Sequence, residues 1–315
     1  YEGADYVFYL PADTPSNARR FLDIVHPEIA IFIKYEFWIN LLSELRRRKV
    51  RSYIVSAIFR RNSVFFRPYG AMWRQALETF DTLFVQNVES KRLLSEIGFD
   101  NVVVAGDTRF DRVAQIAAAA QRVETIERFR GGGRLFVAGS TWGPDEEILL
   151  PLVNANPDVK FVIAPHEMDE GRIAHLMRNA KGGAVRYTQC DAATRFDDVQ
   201  VLVLDTMGML SSVYGSATWA YVGGGFGVGI HNTLEAATFG LPIAFGPNYG
   251  KFKEARDMVS LGCAVSVRTA GELAAWFAPL CDDEETLRRA SRTAKDYTAR
   301  NQGATGIILR SIFNS

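Results

Sequence analysis

Histidine and cysteine are both scarce in this chain, four and three among 315 residues. Cys190, Cys263 and Cys281 share no paired spacing, which excludes a C-x-x-C metal or redox site and suits a reducing compartment. His26, His166, His175 and His231 are scattered, and neither H-E-x-x-H nor D-x-D occurs, so no motif supports metal catalysis. No apolar run reaches the roughly 18 residues that span a bilayer. Net charge is also lacking, with 36 basic against 36 acidic residues, and nothing global points to nucleic acid. The G-x-S-x-G elbow of α/β-hydrolases is missing. So is G-x-G-x-x-G, and Gly246–Lys251 has three residues between its glycines where a P-loop needs four. There is no initiating Met and no signal-peptide pattern. The opening at Tyr1 falls mid-pattern, as expected of part of a longer protein.

What the chain does have is a repeated alternation of strand, turn and helix. With 48% hydrophobic residues it can bury a large core, and its length suggests two domains. Val7–Leu10 reads as a short strand. Ser16 is expected to cap a helix running to Val25, which Pro27 ends. Ile29–Ile33 is so continuously apolar that it reads as a central parallel strand. Lys34, Tyr35 and Glu36 then lie at its C-terminal end, the ligand side of an open α/β sheet. Further strands are expected at 52–57, 82–86 and 102–105, and helices at 39–48, 88–97 and 113–122. Arg109 falls just past a strand end, where it can either face a ligand or pair with Asp107 or Asp111. Gly131–Gly133 looks like a linker, with the domain boundary nearby.

The second half repeats the pattern. Strands at 135–138, 161–164, 199–204, 218–222 and 242–245 each feed a polar or glycine-rich turn, and 270–296 and 303–314 read as closing helices. Such regular alternation means parallel sheets with helices on both faces. Right-handed crossovers bring the turns to one edge. His166 and His231 lie in such turns, where a ligand-facing role competes with a core one. Met207 and Met209 serve either a ligand or helix packing.

The densest of these turns is Tyr221–Ala237. Gly223, Gly224, Gly225, Gly227 and Gly229 give a backbone able to take positive φ and approach a ligand. Asn232 and Glu235 fit an N-cap and its N3 partner. A helix start there would suit a phosphate, and the competing reading is a merely tight turn. Between residues 40 and 80, nine Lys or Arg face two Glu, and Arg60, Arg61, Arg67 and Arg74 interleave with Phe59, Phe65, Phe66, Tyr69 and Trp73. This region suits a membrane surface or, as the plainer alternative, a solvated basic face. Nucleic acid has no supporting motif.

Two Rossmann-like halves, an anion-ready second half and no metal motif describe a GT-B-type nucleotide-sugar transferase, an α/β fold whose two parallel sheets face a cleft. The segments Asp205–Leu210 (DTMGML), Tyr221–Ala237 and Gly246–Ala255 resemble the signatures of 3-deoxy-D-manno-octulosonic acid (Kdo) transferases. GSTWGPDEE, Lys34–Asn40, GDTRFD and Asn301–Ala304 fit in matching order over nearly the whole chain.

The resemblance implies an inverting transfer of Kdo from CMP-Kdo to a lipid A precursor in lipopolysaccharide biosynthesis, without a metal or other cofactor. It implies an acceptor domain over residues 1–128, truncated at its N-terminus, and a CMP-sugar domain over 134–300. Residues 301–315 form a closing helix that returns to the first domain. The implied donor site is Ser140, Thr141, Pro165, His166, Met207, Gly208, Met209, Gly224, Gly225, His231, Asn232, Thr233, Leu234 and Glu235, with Glu235 on the ribose. Lys34, Glu36 and Arg109 are expected to position groups or stabilise transition-state charge. The family's general base, a Glu in a Ser-x-Gly-Glu segment, and a membrane anchor are expected upstream of Tyr1. The implied location is the cytoplasmic face of the inner membrane in a Gram-negative cell, with the 46–74 region toward the lipid. Many members carry Glu where this chain has Lys34, Lys where it has Arg109 and Pro-Arg-His where it has Ala164-Pro165-His166. The alternatives are a donor-binding protein without turnover and a nucleotide-sugar 2-epimerase on the same fold.

Overall fold

The computed structural model describes residues 3–313. The chain divides into two compact units, Tyr1–Asp111 with Gln302–Ser315 and Arg112–Asn301.

In the first unit, α1 (Pro15–Val25), β1 (Ile29–Ile33), α2 (Ile39–Arg47), β2 (Arg51–Ala57), α3 (Ala71–Leu77), β3 (Thr82–Val85), α4 (Val88–Ser95), β4 (Val102–Val104) and the first turn of α5 (Thr108–Ala119) follow in order. The strands form one parallel sheet in the order β1-β2-β3-β4. Alternation along β2 sorts its side chains. Ile54 joins Leu22, Leu42, Leu45, Leu77 and Leu94 of the helices on one face. Tyr53 and Val55 meet Ile308 and Ile312 of the C-terminal helix Ala304–Phe313 on the other. Fully burying Ile312 alone is worth about 1.5–3 kcal/mol. Asp111 fixes that helix by accepting from the amides of Gly303 and Thr305, at 2.6 and 2.8 Å, and from the Thr305 hydroxyl.

Several expectations change here. The helix α1 is capped by Thr14 rather than Ser16, because Pro15 takes the first helical position and the Thr14 hydroxyl accepts from the Asn17 amide. Residues 7–10 form no strand: they have no partner in the sheet, and Tyr6 and Phe8 stack on each other in solvent. Among the described residues β1 pairs with β2 alone, and Ile31 and Ile33 are exposed, so the second partner expected of a central strand is not among them. Helix α5 starts at Thr108, not 113, because the Ser56 hydroxyl and the Asp107 carboxylate accept its first amides. The boundary does not fall at Gly131–Gly133. The helix α6 (Glu124–Arg130) buries Ile126 and Phe129 against Leu135, Val137 and Phe196, which places both it and the triglycine in the second unit.

That second unit contains β5 (Leu135–Thr141), α7 (Gly143–Ala155), β6 (Lys160–Pro165), α8 (Glu170–Asn179), β7 (Ala184–Arg186), β8 (Val201–Val203), α9 (Leu210–Tyr214), β9 (Trp219–Val222), α10 (Thr233–Thr238), β10 (Ile243–Phe245), α11 (Lys253–Ser260), β11 (Ala264–Ser266), α12 (Ala270–Asp282) and α13 (Glu284–Arg300). All strands are parallel, in the order β11-β10-β9-β5-β6-β8-β7. Helices cover both faces. Val137, Val162 and Ala220 face α6, α9, α10 and α11, while Phe136, Phe161 and Trp219 face α7, α8 and α12. The chain winds from β5 outward through β6, then crosses back to β9 on the other side of β5. The switch point, where open α/β sheets bind ligands, therefore lies between β5 and β9.

Candidate functional site

The loops that leave β5, β6, β8 and β9 meet at this switch point. Backbone bonds hold three of them in register: the Gly223 amide donates to the Gly139 carbonyl, His166 to Thr141 and His231 to Gly223, at 2.9 to 3.0 Å. Ser140 adopts φ 54 where β5 shifts register against β6, a left-handed conformation that costs a non-glycine residue about 1–3 kcal/mol.

Below the loops lies Asp145, at the third position of α7 and fully buried. Its carboxylate accepts from the Tyr221 hydroxyl at 2.8 Å, the Gly224 amide at 3.0 Å and the Trp142 amide at 2.9 Å. Burial pushes the Asp145 carboxyl upward, against the pull of those three donors. Next to it, Glu146 accepts from the Thr141 hydroxyl at 2.9 Å and from Arg172 at 2.7 Å. The two first-turn acids of α7 thus tie the end of β9 to α7 and the end of β5 to α8, a tie that depends on strand order, which local pattern does not carry.

Above this base three rings meet. The Trp142 indole donates to His231 Nε2 at 3.3 Å, and the His166 ring packs on both, 4.9 Å from Trp142 and 4.3 Å from His231. Burial, then the neighbouring His166, lowers the His231 pKa below the usual imidazole range. The Arg172 guanidinium lies 5.9 Å from the Trp142 ring centre.

Beside the rings, the Asn232 side chain caps α10 by accepting from the Leu234 amide, and its amide group donates to Glu235 at 2.9 Å. The other Glu235 oxygen accepts from Ser211 at 3.2 Å. Ser211 follows the Met207–Met209 turn, so the DTMGML and HNTLEAA segments touch through this bond. Asp205 holds Thr188 by two bonds and is structural.

The expected donor residues divide by accessibility. Ser140, His166, Met207, Gly208, Met209, His231, Asn232 and Glu235 reach solvent at least in part, with Met207 78% exposed. Thr141, Pro165, Thr233 and Leu234 are buried, so their side chains do not face this surface. Among the described residues the Thr233 hydroxyl has no hydrogen-bond partner. The glycines are required by the protein's own chain. A Cβ on Gly223 would lie 2.2 Å from the Ser140 carbonyl oxygen, and one on Gly225 2.6 Å from the Gly246 backbone. Helices α9 and α10 have only five and six residues, which leaves little macrodipole behind the expected phosphate position.

The expected catalytic residues lie in the first unit. Lys34 follows β1 with φ 61. Glu36 accepts from the Trp38 indole at 2.6 Å. Both border an open hollow of about 640 Å³ with Ile31, Ile33 and Tyr35. Arg109 forms an ion pair with the buried Asp107 at 2.8 Å, the structural alternative seen in the sequence. In the basic 46–74 region, Phe59 and Phe65 belong to the core, Arg61 pairs with Glu96 and Arg74 caps two backbone carbonyls. Arg60, Arg67, Tyr69 and Met72 remain exposed. Among the described residues no group of three or more His, Cys, Asp or Glu could hold a metal, and no helix is long and apolar enough to cross a membrane.

A family model described as 3-deoxy-D-manno-octulosonic-acid transferase matches residues 1–112. The 3-deoxy-D-manno-octulosonic acid transferase of Bordetella pertussis is 27% identical over 314 residues, covering 96% of this chain and 73% of that protein. The Rickettsia felis protein of the same name is 23% identical over 273 residues, covering 84% of this chain and 58% of its own length. Among solved structures, UDP-GlcNAc 2-epimerase from Neisseria meningitidis bound to UDP-GlcNAc is similar in fold. Its TM-score is 0.66 at 16% identity, over 96% of this chain and 80% of that one.

Proposed function

We propose that the chain is a member of the Kdo transferase family of glycosyltransferases and that it moves Kdo from CMP-Kdo to a lipid A precursor, inverting the anomeric centre without a metal; the match of residues 1–112 to the family model and the similarity to the Bordetella pertussis enzyme support this reading. The observation that carries the donor assignment is the Ser211–Glu235–Asn232 cluster beside the Trp142–His166–His231 rings, at the switch point of the second sheet.

In this reading Glu235 accepts from the ribose hydroxyls. Both its oxygens are already oriented by Ser211 and Asn232, and each carboxylate oxygen has a second lone pair to offer. Met207 and the open edge of the rings flank the base and phosphate. As the glycosidic bond to CMP breaks, charge grows on the phosphate, and donors already fixed there stabilise the transition state more than the ground state. Ser140, His231 and the Asn232 backbone are assigned that role. The buried Asp145 and Glu146 act only by holding the loops. No residue of this site is assigned as general base.

The first unit is assigned to the acceptor. Its exposed Arg60, Arg67, Tyr69 and Met72 suit an anionic lipid surface at the cytoplasmic face of the inner membrane. Lys34, Glu36 and Arg109 are assigned positioning roles toward the acceptor and developing charge. Incubating the intact protein with CMP-Kdo and a tetra-acylated lipid A precursor tests the proposal. Kdo-bearing lipid formed with release of CMP is the expected result. Failure to form it, while a UDP-sugar is turned over, would overturn it.

A further inference from the structure

The contact between Trp142 and His231 fixes where the histidine carries its proton. An indole nitrogen can only donate, so the His231 Nε2 that faces Trp142 Nε1 at 3.3 Å must offer its lone pair. The neutral ring then carries its hydrogen on Nδ1.

We propose that Trp142 is a positioning residue for donor binding, holding His231 as the neutral Nδ1–H tautomer so that the ring presents an N–H, and no positive charge, to the anionic part of a CMP-sugar. The inference rests on the function proposed above.

Three features hold the arrangement. The His166 ring packs against His231 at 4.3 Å and Trp142 at 4.9 Å, tilted by 31° and 32°, limiting how either can move. A Cβ on Gly224 would approach His231 Cδ2 to 2.9 Å, so the ring rests against bare backbone on that side. The Trp142 amide is tied to Asp145, which also holds Gly224, so both ends of the indole–imidazole contact share one anchor. His231 Nδ1 makes no hydrogen bond among the described residues, and the ring is only partly buried. The ionisable groups around it are His166 after β6 and Asp145 on α7, with Arg172 of α8 across the indole. A second proton on His231 would set two N–H groups against each other at Trp142. Burial disfavours that charge as well.

The tautomer is read from imidazole ¹⁵N shifts of the ligand-free protein. The expected pattern for His231 is a pyrrole-like Nδ1 and a pyridine-like Nε2. In Trp142→Phe, which keeps a ring but loses the N–H, the Nε2–H form should gain population while the thermal midpoint stays close to that of the parent. CMP should then bind roughly five- to tenfold more weakly, the loss expected for one hydrogen bond. A wild-type His231 protonated on Nε2 overturns the proposal without recourse to any variant. So does a Trp142→Phe protein that keeps both the tautomer and the CMP affinity. If the wild type shows the expected tautomer but does not bind CMP, the functional reading fails and the ligand role fails with it. That outcome is distinct from a failure of the tautomer itself.

Discussion

The carboxylate of Asp145 accepts a 3.0 Å hydrogen bond from the amide of Gly224, 79 residues further along the chain. Through it the first turn of α7 is locked to the glycine turn after β9, across the switch point of the sheet. Asp145→Asn keeps the size but places an NH₂ among three donors. We expect a loss of about 2–4 kcal/mol in unfolding free energy and weaker CMP binding. Urea denaturation checks the first and calorimetry the second.

Glycine at 225 answers to the protein's own backbone. Its missing Cβ leaves room for Gly246, whose backbone atoms would lie 2.6 Å from it. Gly225→Ala should force these two turns apart and cost about 1–3 kcal/mol, as overpacking typically does. Gly250→Ala, where an added Cβ meets nothing, is the control and should leave the thermal midpoint nearly unchanged.

Asp111 joins two stretches that lie far apart in sequence, GDTRFD and NQGA. It accepts from the backbone amides of Gly303 and Thr305, which begin the C-terminal helix. Asp111→Ala should cost about 1–2 kcal/mol, in the range of a lost helix cap. It should also raise amide exchange across Ala304–Phe313, and mass-detected hydrogen exchange reads that locally. Unchanged exchange there would mean that packing of Ile308 and Ile312 alone holds the helix.

Acid stability depends on Glu44. Hydrogen bonds from Arg47, then Arg48, hold its carboxyl down to about 2, and Arg48 also reaches Asp23 of α1. A depressed folded-state value means the stabilisation is fully present above the ordinary carboxylate value and is lost as pH falls toward 2. Unfolding free energy should therefore drop between about pH 5 and about pH 2.5, and Glu44→Gln should lose less over the same interval. Paired denaturation curves at the two pH values decide this.

The alternation of strand and helix, the parallel sheets and the N-cap at Asn232 were all legible in the sequence, because each rests on local periodicity and capping chemistry. The strands Ala184–Arg186 and Ala264–Ser266 were not, since each carries a single large apolar residue, whereas the equally short Val102–Val104, Val201–Val203 and Ile243–Phe245 are apolar throughout. For Ile29–Ile33 a continuous apolar run reports hydrophobicity and not its neighbours, and among the described residues the strand pairs with β2 alone. At the candidate site, Glu235 and His231 drew attention in the sequence because they fall in strand-end turns. Trp142, Tyr221, Ser211 and Arg172 escaped notice because their roles exist only through partners that strand order brings near. For the glycine turn and Arg109 the sequence left two readings open, and the structure shows that these residues serve the protein's own packing and ion pairing.

The cytidine nucleotide site proposed at the C-terminal edge of the second sheet is tested most directly by calorimetric titration with CMP against UDP. CMP should bind, UDP should bind at least tenfold more weakly, a difference of about 1.4 kcal/mol, and Glu235→Ala should lose CMP while keeping its thermal midpoint. A folded protein that ignores CMP, or prefers UDP, would contradict a cytidine nucleotide site.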